Sequence, residues 1–459
     1  MNQSQAIILA AGQGKRMQSA LPKVLHPVGG TPMLGRVLAA ARTAGLSVGH
    51  VVLGDGAEQV CAWLQAHAGG VHTVLQPLQL GTADAVRQAL PQIDDDALVV
   101  VLYGDVPLIR PQTLRALAAG AGDGLALVTA ALDEPGGYGR ILRDARGRVS
   151  GIVEDRDASV EQRAIREINS GLLAAPARRL KHWLAKIGND NAQGEYYLTD
   201  VVALAAADGI EIKTVTATRD EIEGVNDRAQ LARAERRFQR AQADTLLREG
   251  LQLADPGRFD LRGRLQFGRD VFIDVGCVLE GEIELADGVG IGPHCVLRDV
   301  ALGAGTRVAS HCVLESARVG KNARIGPFAR LRPGAELADQ VHVGNFVEIK
   351  NSVLGEGAKA NHLSYLGDAT VGARVNVGAG VITCNYDGVL KHRTVIGDDA
   401  FIGTDSQLVA PVTIGDRAYI AAGSTIARDA PADALTVCRA REQKSYSDWQ
   451  PPAGKKRRT

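Results

Sequence analysis

Residues 273–296 read IDVGCV LEGEIE LADGVG IGPHCV, a spelling in sixes that specifies the architecture of the second half of the chain. An aliphatic residue opens each step, and a small or β-branched residue usually stands four places later. The spelling returns at 319–348 (VGKNAR IGPFAR LRPGAE LADQVH VGNFVE) and at 396–425 (IGDDAF IGTDSQ LVAPVT IGDRAY IAAGST). Some steps are one residue short, those at 302, 319, 354 and 371 beginning after five, and one insertion, CNYDGVLKHRTV, interrupts at 384–395. A six-residue period sustained this long is the signature of a parallel β-helix. Each opening aliphatic then points inward and stacks on its counterpart three steps later, about 4.8 Å away. Cys277, Cys295 and Cys312 fall in the small inward slot of successive coils, which makes them packing residues.

Upstream the period is different. Short apolar runs (AIILA, HVVLG, ALVVVLYGD, GLALVTAAL) alternate with helical stretches, which predicts an α/β, Rossmann-like domain with a mostly parallel sheet covered by helices on both faces. In TPMLGRVLAAARTAG, Thr31 is placed to cap a helix and Pro32 to fill its first turn. The stretch NDRAQLARAERRFQRAQADTLLREG is charged and helix-favouring, with a thin apolar stripe through Leu231, Phe238 and Leu246. So polar a helix bridges domains rather than filling a core. The expected division is 1–228 for the first domain, 229–249 for a linker helix, and 250–459 for the β-helix and a C-terminal tail.

At 459 residues, the chain has room for two or three domains, each with its own core. Lys+Arg and Asp+Glu balance at 52 each, so the bulk charge points to no polyanionic partner. The start, MNQSQ, has no basic leader and no run reaches membrane-spanning length, so the expectation is a soluble, cytoplasmic protein without membrane or nucleic-acid partners. Six cysteines without a CxxC pair fit neither a disulfide framework nor a structural zinc site. The basic end GKKRRT reads as a solvated terminus rather than a nucleic-acid patch.

The stretch LAAGQGKRM (residues 9–17) follows an apolar run as a phosphate loop would. It is neither a dinucleotide fingerprint, since Met17 stands where the third glycine belongs, nor a Walker loop, since Arg16 follows Lys15. Gly12 and Gly14 can still bring backbone N–H groups to a triphosphate, with Arg16 and Lys23 supplying charge; an ordinary surface turn is the competing reading. Gln76, Gly81 and Thr82 lie between a predicted strand and helix, and Asp105 ends the run VVVLYGD. Strand carboxyl ends are where open α/β sheets bind ligands. Asp105 there either holds a divalent cation or starts the turn before Pro107.

The motifs LAAGxGxRM, PKVLH, QLGTADA, YGDVPL, GYGRI, GIVE, EINSG and EGVND, followed by RLRPGAEL, VGNFVEIKNS, NHLSYLGDA, GAGVITCNYDG and IGTDSQLVAPV, span nearly the whole chain. Together they resemble the bacterial bifunctional N-acetylglucosamine-1-phosphate uridyltransferase/glucosamine-1-phosphate acetyltransferase family. The resemblance implies a left-handed β-helix, a homotrimer, and synthesis of UDP-N-acetylglucosamine for peptidoglycan and lipopolysaccharide. It implies a nucleotide pocket of Leu9, Ala10, Ala11, Gly12, Arg16 and Lys23, with Gln76, Gly81 and Thr82 on the uracil, and Tyr103, Gly104 and Asp105 beside them. Gly139, Glu154 and Asn169 would hold the sugar, and Asp105 with Asn226 would bind Mg²⁺, while Arg16 and Lys23 act on the phosphates of UTP. Lys15 departs from the Thr frequent in the family and adds charge there. On the β-helix it implies His362 as general base, Arg332, Lys350, Tyr365, Asn376 and Lys391 on glucosamine-1-phosphate, and Ala379, Asn385, Tyr386, Thr404, Ala422 and Arg439 on acetyl-CoA. Thr404 stands where some relatives have Ser, which keeps the hydroxyl.

Three readings compete at this point. One is the bifunctional enzyme. Another is a nucleotidyltransferase whose β-helix only oligomerises or regulates, against which His362, Lys350, Arg332 and Lys391 argue. A third is a metal-dependent β-helix enzyme of the carbonic anhydrase kind, hinted at by His294 and His311, 17 residues apart; zinc there needs a third protein ligand.

Overall fold

The computed structural model describes residues 4–439; the basic end GKKRRT lies outside them. The described residues form two compact units that divide after residue 241.

In the first unit the apolar runs become the strands of one sheet. Across it the order is Ile212–Thr216, Leu125–Ala131, Glu167–Pro176, Leu98–Tyr103, Ser4–Ala10, Ser47–Leu53 and His72–Leu75, with the hairpin Arg140–Arg143 and Val149–Val153 off the path. Neighbours are parallel except where Glu167–Pro176 runs antiparallel between its two partners. Because both faces are covered, the central strands are apolar throughout: Ala6, Ile7 and Ile8 are fully buried, as are Val99 to Leu102. Alternate residues of Ser4–Ala10 serve two separate cores, Ile8 on one side and Ile7 on the other.

One local expectation is overturned. Thr31 caps nothing and Pro32 lies before the helix, which runs Met33–Thr43. Pro32 has ψ 143°, extended rather than helical, because Thr31–Pro32 pairs antiparallel with Pro27–Val28. This small ladder follows the loop that carries Lys23 and closes the turn at Gly29 and Gly30.

The charged helix extends over Arg228–Arg248. Its apolar stripe serves both units in turn: Leu231, Ala234 and Phe238 pack with Val28, Met33 and Val225 in the first, and Ala243 and Leu246 enter the core of the second.

The second unit is the left-handed parallel β-helix. Strands pair in parallel with their counterparts one coil on, Ile273 opposite Ile291, Leu279 opposite Leu297, Ile402 opposite Ile420. One inward column, Leu279, Leu297, Leu314, Leu331 and Ile349, is 0% exposed throughout, and Ile291 in a second column is equally buried. The three cysteines lie inside the β-helix as expected. The Cys295 thiol donates to the Ala309 carbonyl at 3.0 Å, and burial pushes the Cys277 thiol up to about 11, far from reactive. Corners are turned by left-handed residues, among them His294, His311, Phe328, Phe346 and Leu363, with φ between 51° and 60°. Bulky side chains disfavour that region, and here stacking offsets the cost. The rings of His294, His311, Phe328 and Phe346 form one ladder with centroids 4.9–5.3 Å apart.

Leu314→Ala leaves a cavity that a backbone pinned by parallel ladders above and below cannot close. It should destabilise the β-helix by about 2–5 kcal/mol, read from its urea unfolding transition by circular dichroism.

Candidate functional site

In the first unit, two loops leave the carboxyl ends of the adjacent strands Ser4–Ala10 and Leu98–Tyr103. The loop after Ala10 makes two short 3-10 turns, Lys15–Met17 and Lys23–Leu25. Gly14, with φ 61°, sits where a Cβ would come within 2.8 Å of the Lys23 Cβ, so the second glycine of LAAGQGKRM lets the two turns touch. Lys23 then reaches over the strand ends. Its ammonium pairs with the Asp105 carboxylate and lies 3.2 Å from Asn226 Oδ1. Asn226 is placed there by the helix that follows, whose first turn is closed by the Asp227 carboxylate accepting from Gln230 N at 2.8 Å.

Around this cation the expected residues gather. Leu9, Ala10, Ala11, Gly12, Lys23, Gln76, Gly81, Thr82, Tyr103 and Asp105 line one recess. Arg16, Gly139, Glu154, Asn169 and Asn226, again with Thr82, Tyr103 and Asp105, line an adjoining cleft of 580 Å³. Gly104 lines neither; its N–H donates to the Leu9 carbonyl and it joins the two strand ends from behind. Gln76 is buried, with its amide donating to Gly81 O and to Asp84 Oδ2 (3.1 and 2.8 Å), which leaves its carbonyl oxygen for a ligand. Asn169 is buried too, and its Oδ1 has no protein partner. Burial raises the Glu154 carboxyl, although the Thr199 hydroxyl at 2.9 Å stabilises its charge. Thr199 was invisible to motif reading, because a hydroxyl beside TD in a helix-forming run looks like an ordinary cap.

Asp105 Oδ2 and Asn226 Oδ1 converge on a single positive charge. Two hard oxygens directed at one cation are a donor set that fits a divalent metal whose remaining ligands come from phosphate and water. Among the described residues there is no group of three or more His, Cys, Asp or Glu side chains that could hold a metal. The histidine pair fares no better as a zinc site: its ladder continues into Phe328 and Phe346, which offer no ligand.

In the second unit the register makes the site. Val343, Ala360, Val377, Ile402 and Ile420 are successive partners in one ladder. Two residues beyond each lie Asn345, His362, Ala379, Thr404 and Ala422, so the expected base and three expected acetyl-CoA contacts share one column. Each is followed by a left-handed corner: Phe346, Leu363, Gly380, Asp405 and Gly423. His362 therefore ends its strand at the corner, exposed. Arg439 joins this column, donating to the Ala422 carbonyl at 2.9 Å.

Cations collect nearby. Arg332 pairs with Glu348 at 2.8 Å and Lys350 with Asp368 at 3.5 Å. Lys391 is held below the ordinary lysine value by direct contact with the Lys350 ammonium, with Arg332 adding to the repulsion. The Lys350–Lys391 contact is repulsive as it stands, and a phosphate bound between the two ammonium groups would relieve it. Tyr365 lies opposite Glu348 on the strand one coil beyond that of Lys350, and Asn376 opposite Lys359. Burial raises the Asp368 carboxyl, but hydrogen bonds from Asn351, Asn385 and Lys350 outweigh it and hold the group low. Asp368 thereby fixes Asn385, the first residue of the inserted hairpin. In that hairpin Tyr386 bridges Lys391, and Asp387 accepts from Val389 N, Leu390 N and the His392 ring at 2.7–2.8 Å. Asp368 and Asp387 escaped the sequence reading, since an aspartate in a turn carries no mark of the side chain it orients.

Known proteins resemble the chain in both of its units. Residues 6–179 match the MobA-like NTP transferase domain, and residues 393–428 match the bacterial transferase hexapeptide. The chain is similar to proteins named "Bifunctional protein GlmU" from Alkalilimnicola ehrlichii (58% identical, covering 97% of this chain and 96% of that protein), Bordetella parapertussis (56%, 98% and 99%) and Ralstonia nicotianae (54%, 98% and 99%).

The Asp387 carboxyl is pulled down to about 2, first by the Leu390 N–H, then by His392 and Val389. A carboxyl lowered on folding stabilises above its unfolded value and loses that stabilisation as pH falls through the folded one. The hairpin should thus hold at neutral pH and loosen between pH 3.8 and about 2, followed by the Leu390 amide resonance during acid titration.

Proposed function

Because the chain belongs to the family of bifunctional GlmU proteins, we propose that its two reactions run at the two separate sites just described. It is a transferase twice over, moving an acetyl group from acetyl-CoA to glucosamine-1-phosphate and then a uridylyl group from UTP to N-acetylglucosamine-1-phosphate, with release of pyrophosphate. On this reading, residues 1–228 carry uridylyl transfer, 229–249 link, and 250–459 carry acetyl transfer.

For uridylyl transfer, the supporting observation is the convergence of Lys23, Asp105 and Asn226 in a cleft lined by Arg16. The sugar phosphate oxygen attacks the α-phosphorus in line, the bond to the β-phosphate oxygen breaks, and pyrophosphate leaves. The work is positioning and charge neutralisation, so no side chain need become covalently bound. Arg16 and Lys23 offset charge on the phosphates, Gln76, Gly81 and Thr82 seat the base, and Gly139, Glu154 and Asn169 seat the sugar. Asp105 and Asn226 would hold the divalent ion, taken here as Mg²⁺, which screens phosphate charge when bound. Lys23 then shifts from its resting partners to the nucleotide.

For acetyl transfer, His362 accepts a proton from the amine as its nitrogen attacks the thioester carbonyl. The N–C bond forms, the C–S bond breaks, and coenzyme A leaves. Arg332, Lys350 and Lys391 bind the sugar phosphate with Tyr365 and Asn376, while Ala379, Asn385, Tyr386, Thr404, Ala422 and Arg439 bind the coenzyme. No described helix is long and apolar enough to cross a membrane. A cytoplasmic homotrimer supplying cell-envelope precursors completes the proposal.

Purified protein given glucosamine-1-phosphate, acetyl-CoA, UTP and Mg²⁺ should yield UDP-N-acetylglucosamine by mass spectrometry, and omitting Mg²⁺ should stop it at N-acetylglucosamine-1-phosphate. His362→Ala should cut acetyl transfer by roughly 10² to 10⁴ while sparing uridylyl transfer. Asp105→Ala should do the reverse. A folded His362→Ala protein with full acetylating activity would remove the histidine from the mechanism.

A further inference from the structure

Asn345 and His362 are register partners in neighbouring coils, on the strands His342–Asn345 and Lys359–His362. The Asn345 Oδ1 lies 2.8 Å from the imidazole Nδ1. An amide oxygen only accepts, so the ring nitrogen facing it carries the hydrogen, and in a neutral imidazole the other nitrogen, Nε2, then keeps its lone pair. We propose that Asn345 is a positioning residue for acetyl transfer, holding His362 in the tautomer whose Nε2 receives the proton. The inference rests on His362 being the base and adds how that base is kept ready.

The backbone makes the contact durable. Both residues end their strands, and both are followed at once by left-handed corners, Phe346 (φ 57°) and Leu363 (φ 51°). The Phe346 ring is stacked on Phe328, and the Ser364 hydroxyl donates to the His362 carbonyl at 2.8 Å. The two backbones are thus held side by side where the Asn345 amide meets the ring. Its neutrality matters as well. A carboxylate there would stabilise the imidazolium and raise the histidine, leaving more of it protonated and idle near neutral pH. The other ionisable groups on the packed elements are His342 on the Asn345 strand, Lys359 on the His362 strand and Tyr365 on the strand after the corner; Asn376–Val377, on the far side, brings none. None of these accepts from Nδ1, so Asn345 is the acceptor the ring is given.

The test uses the full chain and three variants, with coenzyme A release and UTP-dependent turnover measured separately. Asn345→Leu should lower the acetyl-transfer kcat by about 10- to 100-fold, by analogy with the outer-shell partners that orient metal-bound histidines, with KM for both substrates near wild type. Asn345→Asp, of the same shape, should move the acidic limb of kcat/KM against pH upward by about one unit or more. A merely structural asparagine would produce neither the split nor the shift. Uridylyl transfer and melting temperature should stay as in wild type, and if Asn345→Leu does not fold, the pH profile of Asn345→Asp decides. A wild-type kcat in Asn345→Leu, or an unmoved limb in Asn345→Asp, overturns the role of Asn345. If His362→Ala retains acetyl transfer, the failure lies instead in taking His362 as the base.

Discussion

Each inward side chain of the β-helix must lie over its counterpart one coil away, because only that alignment satisfies the backbone ladders and buries the apolar column together. The rest of the second unit follows from this stacking. Once Val343, Ala360, Val377, Ile402 and Ile420 are aligned, the strand positions that flank them are aligned too. The outer surface therefore becomes a set of parallel columns at strand spacing. One column is an alternating charge ladder, Arg262 to Glu280 at 2.9 Å and Arg298 to Glu315 at 2.7 Å. Another is the aromatic ladder of the corner, and a third carries His362. Extra residues can be accepted only where they leave the ladder outward, as the hairpin braced by Asp387 does.

The first unit places its chemistry differently. There the sheet brings strand ends together, and the loops beyond them must supply charge that the apolar strands cannot. Lys23 occupying the space between Asp105 and Asn226 resolves the electrostatics of the resting site. A carboxylate at the edge of a buried sheet needs a counter-charge, and the loop folds back to give one.

How much of this was legible in the sequence depended on whether the governing interaction is periodic. The β-helix was readable because stacking imposes a period, and the three core cysteines were placed by it. The parallel sheet was readable from its apolar runs. Thr31 was misjudged, because a threonine before a proline fits a helix start and a strand pair equally well, and only pairing with Pro27–Val28 separates them. Most candidate site residues were named through resemblance, and the structure brings them into two clusters, with Gly104 left behind the strand ends. Thr199, Asn345, Asp368 and Asp387 were missed for one shared reason: each acts by orienting another polar group, a relation made in three dimensions that leaves no local mark.

The helix Arg228–Arg248 carries a consequence for dividing the chain. Glu235 accepts from the N–H of Gly29 at 2.5 Å, the Arg36 guanidinium lies 3.5 Å over the Phe238 ring, and Arg228 donates to the Met17 carbonyl at 3.1 Å. These contacts hold the same loops that bear Arg16 and Lys23. A gene truncated after codon 228 would encode all of the expected nucleotide contacts yet discard the splint behind them. A fragment meant to keep that splint has to run past the recognisable motifs, to where the contacts divide after residue 241.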